Sequence, residues 1–236
     1  MRIVCLVLLA VACCPGCHPA APDGGSREPP RTASVSISTQ VAAVRTGKGA
    51  RITADQPLSV TEWESLRGLA GLRELVLNAG VADDTRAKVL ATLPDLERLV
   101  LRESPLSDAG FRELGRCGRL RDLNVPQAAC TPAGIRALAT LPRLRSLRLG
   151  GPHLAGADVG RAVAELVQLR SLHLIDVPLG DDGLDAIARL PGLWNLYLDG
   201  AGVSDDGWRK YFQEHSDVHV HVDQVHHDRD PAREHD

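Results

Sequence analysis

Aromatic residues are scarce in this chain of 236 residues, since tryptophan, tyrosine and phenylalanine together make up only 3% of it. An excess of charge of one sign is also absent, because the formal net charge is -3, and this argues against a uniformly basic nucleic-acid-binding protein. A hydrophobic content of 44% excludes a chain that is disordered throughout. With so few aromatic side chains the core must be aliphatic, and leucine, with 34 residues, supplies most of it.

Motifs of catalytic sites are missing as well. The sequence contains no GxSxG nucleophile elbow, no HExxH, no P-loop and no GxGxxG after a predicted strand. These patterns place a nucleophile, a metal ion or a phosphate-binding backbone where the chemistry needs it. We therefore expect that the protein is not an enzyme and that it has no cofactor.

Residues 1–17 have the order of an export signal, with an early arginine, an apolar run and small residues before a cysteine. The apolar run is too short to span a bilayer. The segment resembles a bacterial lipoprotein signal, in which the lipid is carried by a cysteine that follows glycine or alanine. Cys17 follows Gly16 and Cys13 follows Ala12, so either is the predicted lipidation site. Secretion without lipid and a retained anchor stay open as alternatives.

Residues 18–44 are predicted to be a tether followed by a capping strand. The first part, residues 18–32, is rich in proline and glycine and has no apolar periodicity, which is typical of a solvated linker. Between Ser34 and Val44 a β-branched residue recurs at every second position from Val35 to Val41, at Val35, Ile37, Thr39 and Val41. This spacing of two predicts a short strand that covers the first of the units that follow.

The strongest pattern in the chain is a repeat that restarts every 24 residues from Leu69, with one spacing of 25. Its six openings are LAGLRELVL, LPDLERLVL, CGRLRDLNV, LPRLRSLRL, LVQLRSLHL and LPGLWNLYL. The last two apolar positions of each opening are spaced by two, which predicts a strand, and the second half of each unit has the spacing of a helix. One unit buries too few side chains to offset the entropy lost on ordering it, so the units must stack.

These repeats resemble the leucine-rich repeat family over residues 45–223, in about seven units. The first unit, around Trp63, looks like a cap that lacks the strand of the other units. The segments SDAGFREL, DDGLDAIA and SDDGWRKY are similar to the cysteine-containing and GALA-like subtypes, which also occur in F-box adaptors. The resemblance implies an α/β fold: a right-handed solenoid arc with a parallel sheet on its concave side and short helices on its convex side, used for binding proteins.

Two groups of residues inside the repeats look chemically active but have structural explanations. Aspartates recur at one place in the unit, where they fit the first turn of a helix better than a metal site: Asp108, Asp181, Asp182, Asp205 and Asp206. Cys117 and Cys130 replace leucine or valine of the other units. This replacement predicts two buried, unreactive thiols.

The side chains between the buried leucines are predicted to form columns on the concave side, because neighbouring strands lie about 4.8 Å apart. Arginine and aromatic residues are the types that anchor protein interfaces. The predicted partner-binding residues are Arg98, Arg102, Asn124, Arg148, His173, Trp194, Asn195 and Tyr197. For Trp194 the alternative is that it packs on the end of the solenoid.

Six of the nine histidines lie in the last 22 residues, interspersed with aspartates. The alternating valines around His219 and His221 put these two on one face of a terminal strand. The candidate ligands of a divalent metal ion are His219, His221, His226 and His227. A polar tail over residues 224–236 that meets water at the end of the solenoid would explain the same composition.

Taken together, these patterns favour a non-catalytic leucine-rich repeat module that is exported to the cell envelope, either lipid-anchored or periplasmic or extracellular. We expect a monomer that binds another protein through its concave face, binds no nucleic acid, and touches a membrane only through its lipid. Two alternatives remain: a metal-binding envelope protein that uses its histidine-rich C-terminus, and an F-box-like adaptor or effector.

Overall fold

The computed structural model describes residues 35–227 and 229–230. The predicted signal segment, both candidate lipidation cysteines and most of the predicted tether lie outside these residues. The α-helices of the described part are α1 (Ile37–Arg45), α2 (Val60–Leu66), α3 (Asp84–Leu90), α4 (Asp108–Leu114), α5 (Pro132–Ala137), α6 (Ala157–Ala164), α7 (Gly180–Ile187) and α8 (Asp205–Glu214), and a short 3-10 helix (Leu138–Thr140) follows α5. The strands are β1 (Arg51–Ala54), β2 (Glu74–Leu77), β3 (Arg98–Leu101), β4 (Asp122–Val125), β5 (Ser146–Gly150), β6 (Ser171–Ile175), β7 (Asn195–Leu198), β8 (His219–Val222) and β9 (Val225–His226).

These strands form one sheet in chain order, which confirms the predicted solenoid. Strands β1 to β8 pair in parallel, and each helix between them connects a strand to its neighbour. The leucine positions stay in register, as Leu147 and Leu172 show by pairing across the one spacing of 25. The extra residue is therefore accommodated between the strands.

The core lies between the sheet and the helices and is almost wholly aliphatic. Strand leucines such as Leu99, Leu123 and Leu172 are no more than 1% exposed, and Phe111 is fully buried. Because helices pack about 8–10 Å apart and strands only about 4.8 Å, a stack of such units curves with the sheet inside. We call the outward-facing side chains of the sheet the concave face.

The predicted capping strand at the N-terminal end is wrong, because residues 37–45 form helix α1. The alternation of apolar residues there also fits a helical spacing, and the residues that are buried, Ile37, Val41 and Val44, follow positions i, i+4 and i+7. Ser36 caps this helix by accepting a hydrogen bond from the Thr39 backbone.

The first unit also has the strand that the sequence did not predict. Residues 51–54 form β1, which pairs with β2, although the segment RITA contains no leucine. The Gln40 side chain, from α1, accepts a hydrogen bond from Thr53 N and donates one to Thr53 O. The amide thus occupies backbone groups on the outer edge of the sheet, where an unprotected strand would invite pairing with another chain.

At the other end, the predicted tail does not begin at residue 224. Val225 and His226 form β9, which pairs antiparallel with β8 through a turn in which Asp223 and Gln224 have positive φ. Two such residues make the tight turn whose twist suits a hairpin. Asp230, further along, is buried and accepts a hydrogen bond from Val220 N.

The aspartates at the helix starts have a further role besides lying in the first helical turn. Each cap residue, Ser107, Thr131 or Ser204, bonds to a backbone N–H of its own helix. The aspartate of the preceding unit accepts from that cap residue, both from its backbone N–H and from its hydroxyl: Asp84 from Ser107, Asp108 from Thr131, and Asp181 from Ser204. We call these three bridges the aspartate ladder.

The aspartate ladder explains a glycine in the third position after the cap. A Cβ at Gly110, Gly134 or Gly207 would lie 2.5 to 2.6 Å from the carboxylate oxygen of the preceding unit. At Gly134 the backbone N–H also donates to Asp108 Oδ1. A side chain in this position would therefore push neighbouring units apart.

We predict that Gly134→Ala lowers the free energy of unfolding by about 1–3 kcal/mol, the usual cost of overpacking. The new methyl group would meet Asp108 Oδ1 at 2.6 Å and Cys130 Cβ at 2.8 Å. Gly118→Ala is the control, because nothing lies within 4 Å of a Cβ there. Urea unfolding should show a lower midpoint for the first variant alone, and equal midpoints would contradict the steric role of the ladder.

Both cysteines of the repeats are buried and free, as expected. Burial raises the pKa of the Cys117 thiol to about 12, and burial together with Asp108 does the same to the pKa of Cys130. Because the thiolate is the reactive form, both should be inert near neutral pH.

The measurement is alkylation with iodoacetamide at pH 8 followed by peptide mass mapping. In the folded protein the peptides with Cys117 and Cys130 should stay unmodified, whereas in urea both should be alkylated within the same time. Equal alkylation in the two conditions would show that these thiols are accessible.

Candidate functional site

The concave face is organised as the columns that the sequence predicts. In the middle column the strand register aligns Val76, Val100, Asn124, Arg148, His173, Tyr197 and His221. The neighbouring column runs from Glu74 and Arg98 through Ser146 to Asn195 and His219. Parallel pairing in register places these side chains on neighbouring strands at one height.

In the N-terminal third of this face the polar side chains bond to one another. Arg98 is 3.1 Å from Glu74. Arg102 donates a hydrogen bond to Asn78 Oδ1, and Asn78 Nδ2 donates one to Asp55. Arg98 and Arg102, both predicted partner-binding residues, thus already have partners in the neighbouring unit.

The middle of the face differs, because two of its buried polar atoms have no partner among the described residues. Asn124 and Arg148 are adjacent in the column and half-buried. Asn124 Oδ1 and Arg148 Nε are both shielded from solvent and have no hydrogen-bond partner among the residues that the structure describes. A buried polar atom without a partner is costly, so these two atoms favour a ligand that supplies a donor and an acceptor.

Three rings continue the column towards the C-terminal end. The rings of His173, Tyr197 and His221 follow one another with centroid distances of 5.4 and 4.8 Å. His173 Nε2 is 2.9 Å from Asp199 Oδ2, which fixes the ring. Tyr197 therefore stands between two imidazoles in a half-exposed stack, a rigid surface of the kind that anchors partners.

Trp194 is not part of these columns. It precedes β7 and is 66% exposed. It lines a cavity with residues from the end of α7 and of α8, among them Tyr211 and His215. This placement corrects the prediction that Trp194 belongs to the concave face, and with 66% of its surface exposed the side chain is not packed on the end of the solenoid either. Asn195, one residue later, does face the concave side.

The histidines at the C-terminal end separate into two groups. His219, His221 and His226 each offer a ring nitrogen, and these three atoms lie within 4.8 Å of one another. His227 is not in this group: its ring packs on Trp208 and Phe212, at centroid distances of 4.8 and 5.0 Å. Three of the four predicted metal ligands thus come together, and the fourth belongs to the core side of the terminal hairpin.

No family model matches the sequence, and no curated protein matches it. Among solved structures, an internalin C2 from Listeria monocytogenes is similar, with a TM-score of 0.54 and 19% identity over 79% of this chain and 92% of that one. A second Listeria monocytogenes internalin, inlF, has a TM-score of 0.44 and 18% identity over 78% of this chain and 63% of that one.

The leucine-rich repeat ectodomain of the Arabidopsis receptor kinase HAESA, solved with a peptide hormone ligand, has a TM-score of 0.39 and 16% identity over 64% of this chain and 32% of that one. At 19% identity the likeness to the internalin C2 is one of fold. With the repeat register and the alternation of strands and helices, it establishes that the described part of the chain folds as a leucine-rich repeat solenoid.

Proposed function

We propose that the protein is a non-catalytic module that binds another protein through the middle and C-terminal part of its concave face. The residues that carry this function are Asn124, Arg148, His173 and Tyr197. The observation on which the proposal depends is the pair of adjacent polar atoms, Asn124 Oδ1 and Arg148 Nε, that lack a hydrogen-bond partner within the described structure.

These four residues form one continuous strip on four neighbouring strands. At a strand spacing of about 4.8 Å the strip is about 14 Å long, which suits an exposed loop or a short extended segment of a partner. The arginine would donate hydrogen bonds to a carboxylate or carbonyl oxygen of the partner, and the tyrosine would provide apolar contact area at a small cost in side-chain entropy.

No observation on the described residues favours the adaptor alternative. Its basis was the likeness of helix segments such as SDAGFREL and SDDGWRKY to those of F-box adaptors. In the structure the serine, aspartate and glycine of these segments serve the aspartate ladder, which links one unit to the next. The segments therefore need no adaptor function to explain them.

The same proposal includes export to the cell envelope and attachment by lipid at Cys17 or Cys13. It is supported by the order of residues in the N-terminal segment. Within the described residues no helix is long and apolar enough to cross a membrane.

The concave face is tested by replacing Tyr197 and Arg148 together with alanine. We expect capture of envelope proteins by the immobilised double variant to fall at least tenfold, since central aromatic and arginine residues dominate most interfaces. Quantitative mass spectrometry of the captured proteins is the measurement. The melting temperature should change little, because neither side chain belongs to the core.

Arg143→Ala is the matched control, since Arg143 is exposed, lies in the same unit as Arg148 and precedes β5. It should leave capture unchanged. If the double variant retains every protein that the wild type enriches, the proposed surface is wrong.

The lipid is tested by intact mass and N-terminal peptide analysis of the protein made in a bacterium that processes lipoproteins. We expect cleavage before one cysteine and a diacylglyceryl adduct on it. Cys17→Ser and Cys13→Ser, compared with each other, identify which cysteine carries the adduct. An unmodified mature N-terminus in the wild type would refute the lipid anchor without touching the proposed binding face.

A further inference from the structure

We propose that His219, His221 and His226 form a binding site for one divalent transition-metal ion, with zinc as the first candidate, at the C-terminal end of the concave face. The inference goes beyond the proposed function and does not depend on it. It rests on the backbone that positions the rings, on the distances between their nitrogens, and on a carboxylate that contacts one of them from behind.

The backbone brings the three rings to one side of the sheet. His219 and His221 alternate along β8, so both face the concave side. The tight turn at residues 223 and 224 then folds β9 back, and its register places His226 directly opposite His221. Residues directly opposite in an antiparallel pair project to the same face. The convergence of the three rings thus follows from secondary structure.

The distances suit a single ion. His219 Nε2 and His221 Nε2 are 2.8 Å apart, and the ring centroids lie 4.7 Å apart for His219 with His221, 4.7 Å for His219 with His226, and 4.0 Å for His221 with His226. Nitrogens bound tetrahedrally to zinc at about 2.05 Å are about 3.3 Å from each other. Rotation of half-exposed side chains covers a difference of this size without any change of backbone.

A buried carboxylate supports the ring of His219. Asp230 Oδ2 lies 2.8 Å from His219 Nδ1, and the Asp230 side chain is only 1% exposed. Metal-binding histidines commonly direct their second nitrogen to a carboxylate, which fixes the tautomer and turns the other nitrogen to the metal. In this ring the other nitrogen is Nε2, the atom that faces His221.

The donor set selects among metal ions. Three imidazoles without a carboxylate in the ligand set favour zinc, copper or nickel over calcium and magnesium, which prefer oxygen. Three protein ligands also leave a tetrahedral ion one position for water or for a donor from another molecule. The Tyr197 ring, 4.8 Å from that of His221, places the histidine cluster beside the proposed binding strip.

The competing explanation is a polar cluster that holds no metal. His219 Nε2 and His221 Nε2 are already within hydrogen-bond distance of each other, and Asp230 lies against the other nitrogen of His219, so this cluster would tie the terminal hairpin to the solenoid by itself. The two explanations differ in a measurable way, because only a metal site responds to added zinc.

The test is isothermal titration of the full chain, under reducing conditions, with zinc chloride, and absorption spectroscopy with cobalt(II) as a coloured substitute. The variants are His221→Ala and the double variant His219→Ala/His221→Ala. Cysteines in the N-terminal segment can also bind zinc, so the quantity compared is the number of ions bound by each variant relative to the wild type. We expect the wild type to bind one more ion than the double variant, and His221→Ala to bind it at least tenfold more weakly.

His227→Ala is the matched control, because it removes a histidine adjacent to His226 whose ring packs on Trp208 and Phe212 instead. It should keep the additional ion. Asp230→Asn should weaken binding about 10- to 100-fold, as the loss of a supporting partner does at other sites. Thermal unfolding with and without zinc checks that each variant is folded, and zinc should raise the melting temperature of the wild type and not that of the double variant.

Equal numbers of zinc ions on the wild type and the double variant would overturn the proposal. Equally tight binding by His221→Ala would overturn it too. Magnesium chloride at the same concentrations should produce no binding that depends on these histidines. Loss of the additional ion from His227→Ala as well as from the double variant would assign the metal to a different set of ligands.

Discussion

The burial of leucine between neighbouring units is the interaction on which the rest of this structure depends. No unit has enough apolar area to fold alone, so each strand must align with the next and each leucine must meet its counterpart. This requirement fixes the spacing of 24 residues and tolerates an additional residue only where it stays between the strands. It also leaves the alternate side chains of every strand free of the core, and those side chains are the concave face.

A stack of this kind has two ends that cannot be completed by another unit, and the chain closes them differently. At the N-terminal end α1 covers the core, and Gln40 bonds to the backbone of β1 as a further strand would. At the C-terminal end an antiparallel hairpin supplies a short final strand. The aspartate ladder adds a second link between units. It is interrupted between α5 and α6, because α5 begins with Pro132 and α6 is preceded by Gly156, which has no capping side chain. The leucine packing continues through that interruption, so the units are held together mainly by the leucine packing and less by the ladder.

The sequence predicted what depends on repetition and missed what occurs once. Register, columns, buried cysteines and helix starts recur in several units, so each has a pattern. Helix α1 occurs once, so no other unit shows its pattern. Its apolar residues fit the spacing of a strand as well as that of a helix, and only the burial of Ile37, Val41 and Val44 distinguishes the two. The strand β1 lacks leucine, and the terminal hairpin has no glycine to mark its turn, since Asp223 and Gln224 adopt positive φ themselves. Trp194 was misplaced because residues just before a strand do not share its alternation.

The concave face changes character along the stack although every unit has the same backbone. Towards the N-terminus its arginines are held by acidic and amide partners of the preceding unit, and Val76 and Val100 are buried, so that part mainly stabilises the solenoid. At Asn124 and Arg148 one polar atom each lacks a partner among the described residues, and near the C-terminal end the rings of Tyr197 and His221 join the binding strip to the histidine cluster. A ligand on one of these two sites would restrict rings that the other uses. Any effect of partner binding on the affinity for the metal must therefore equal the effect of the metal on the affinity for the partner.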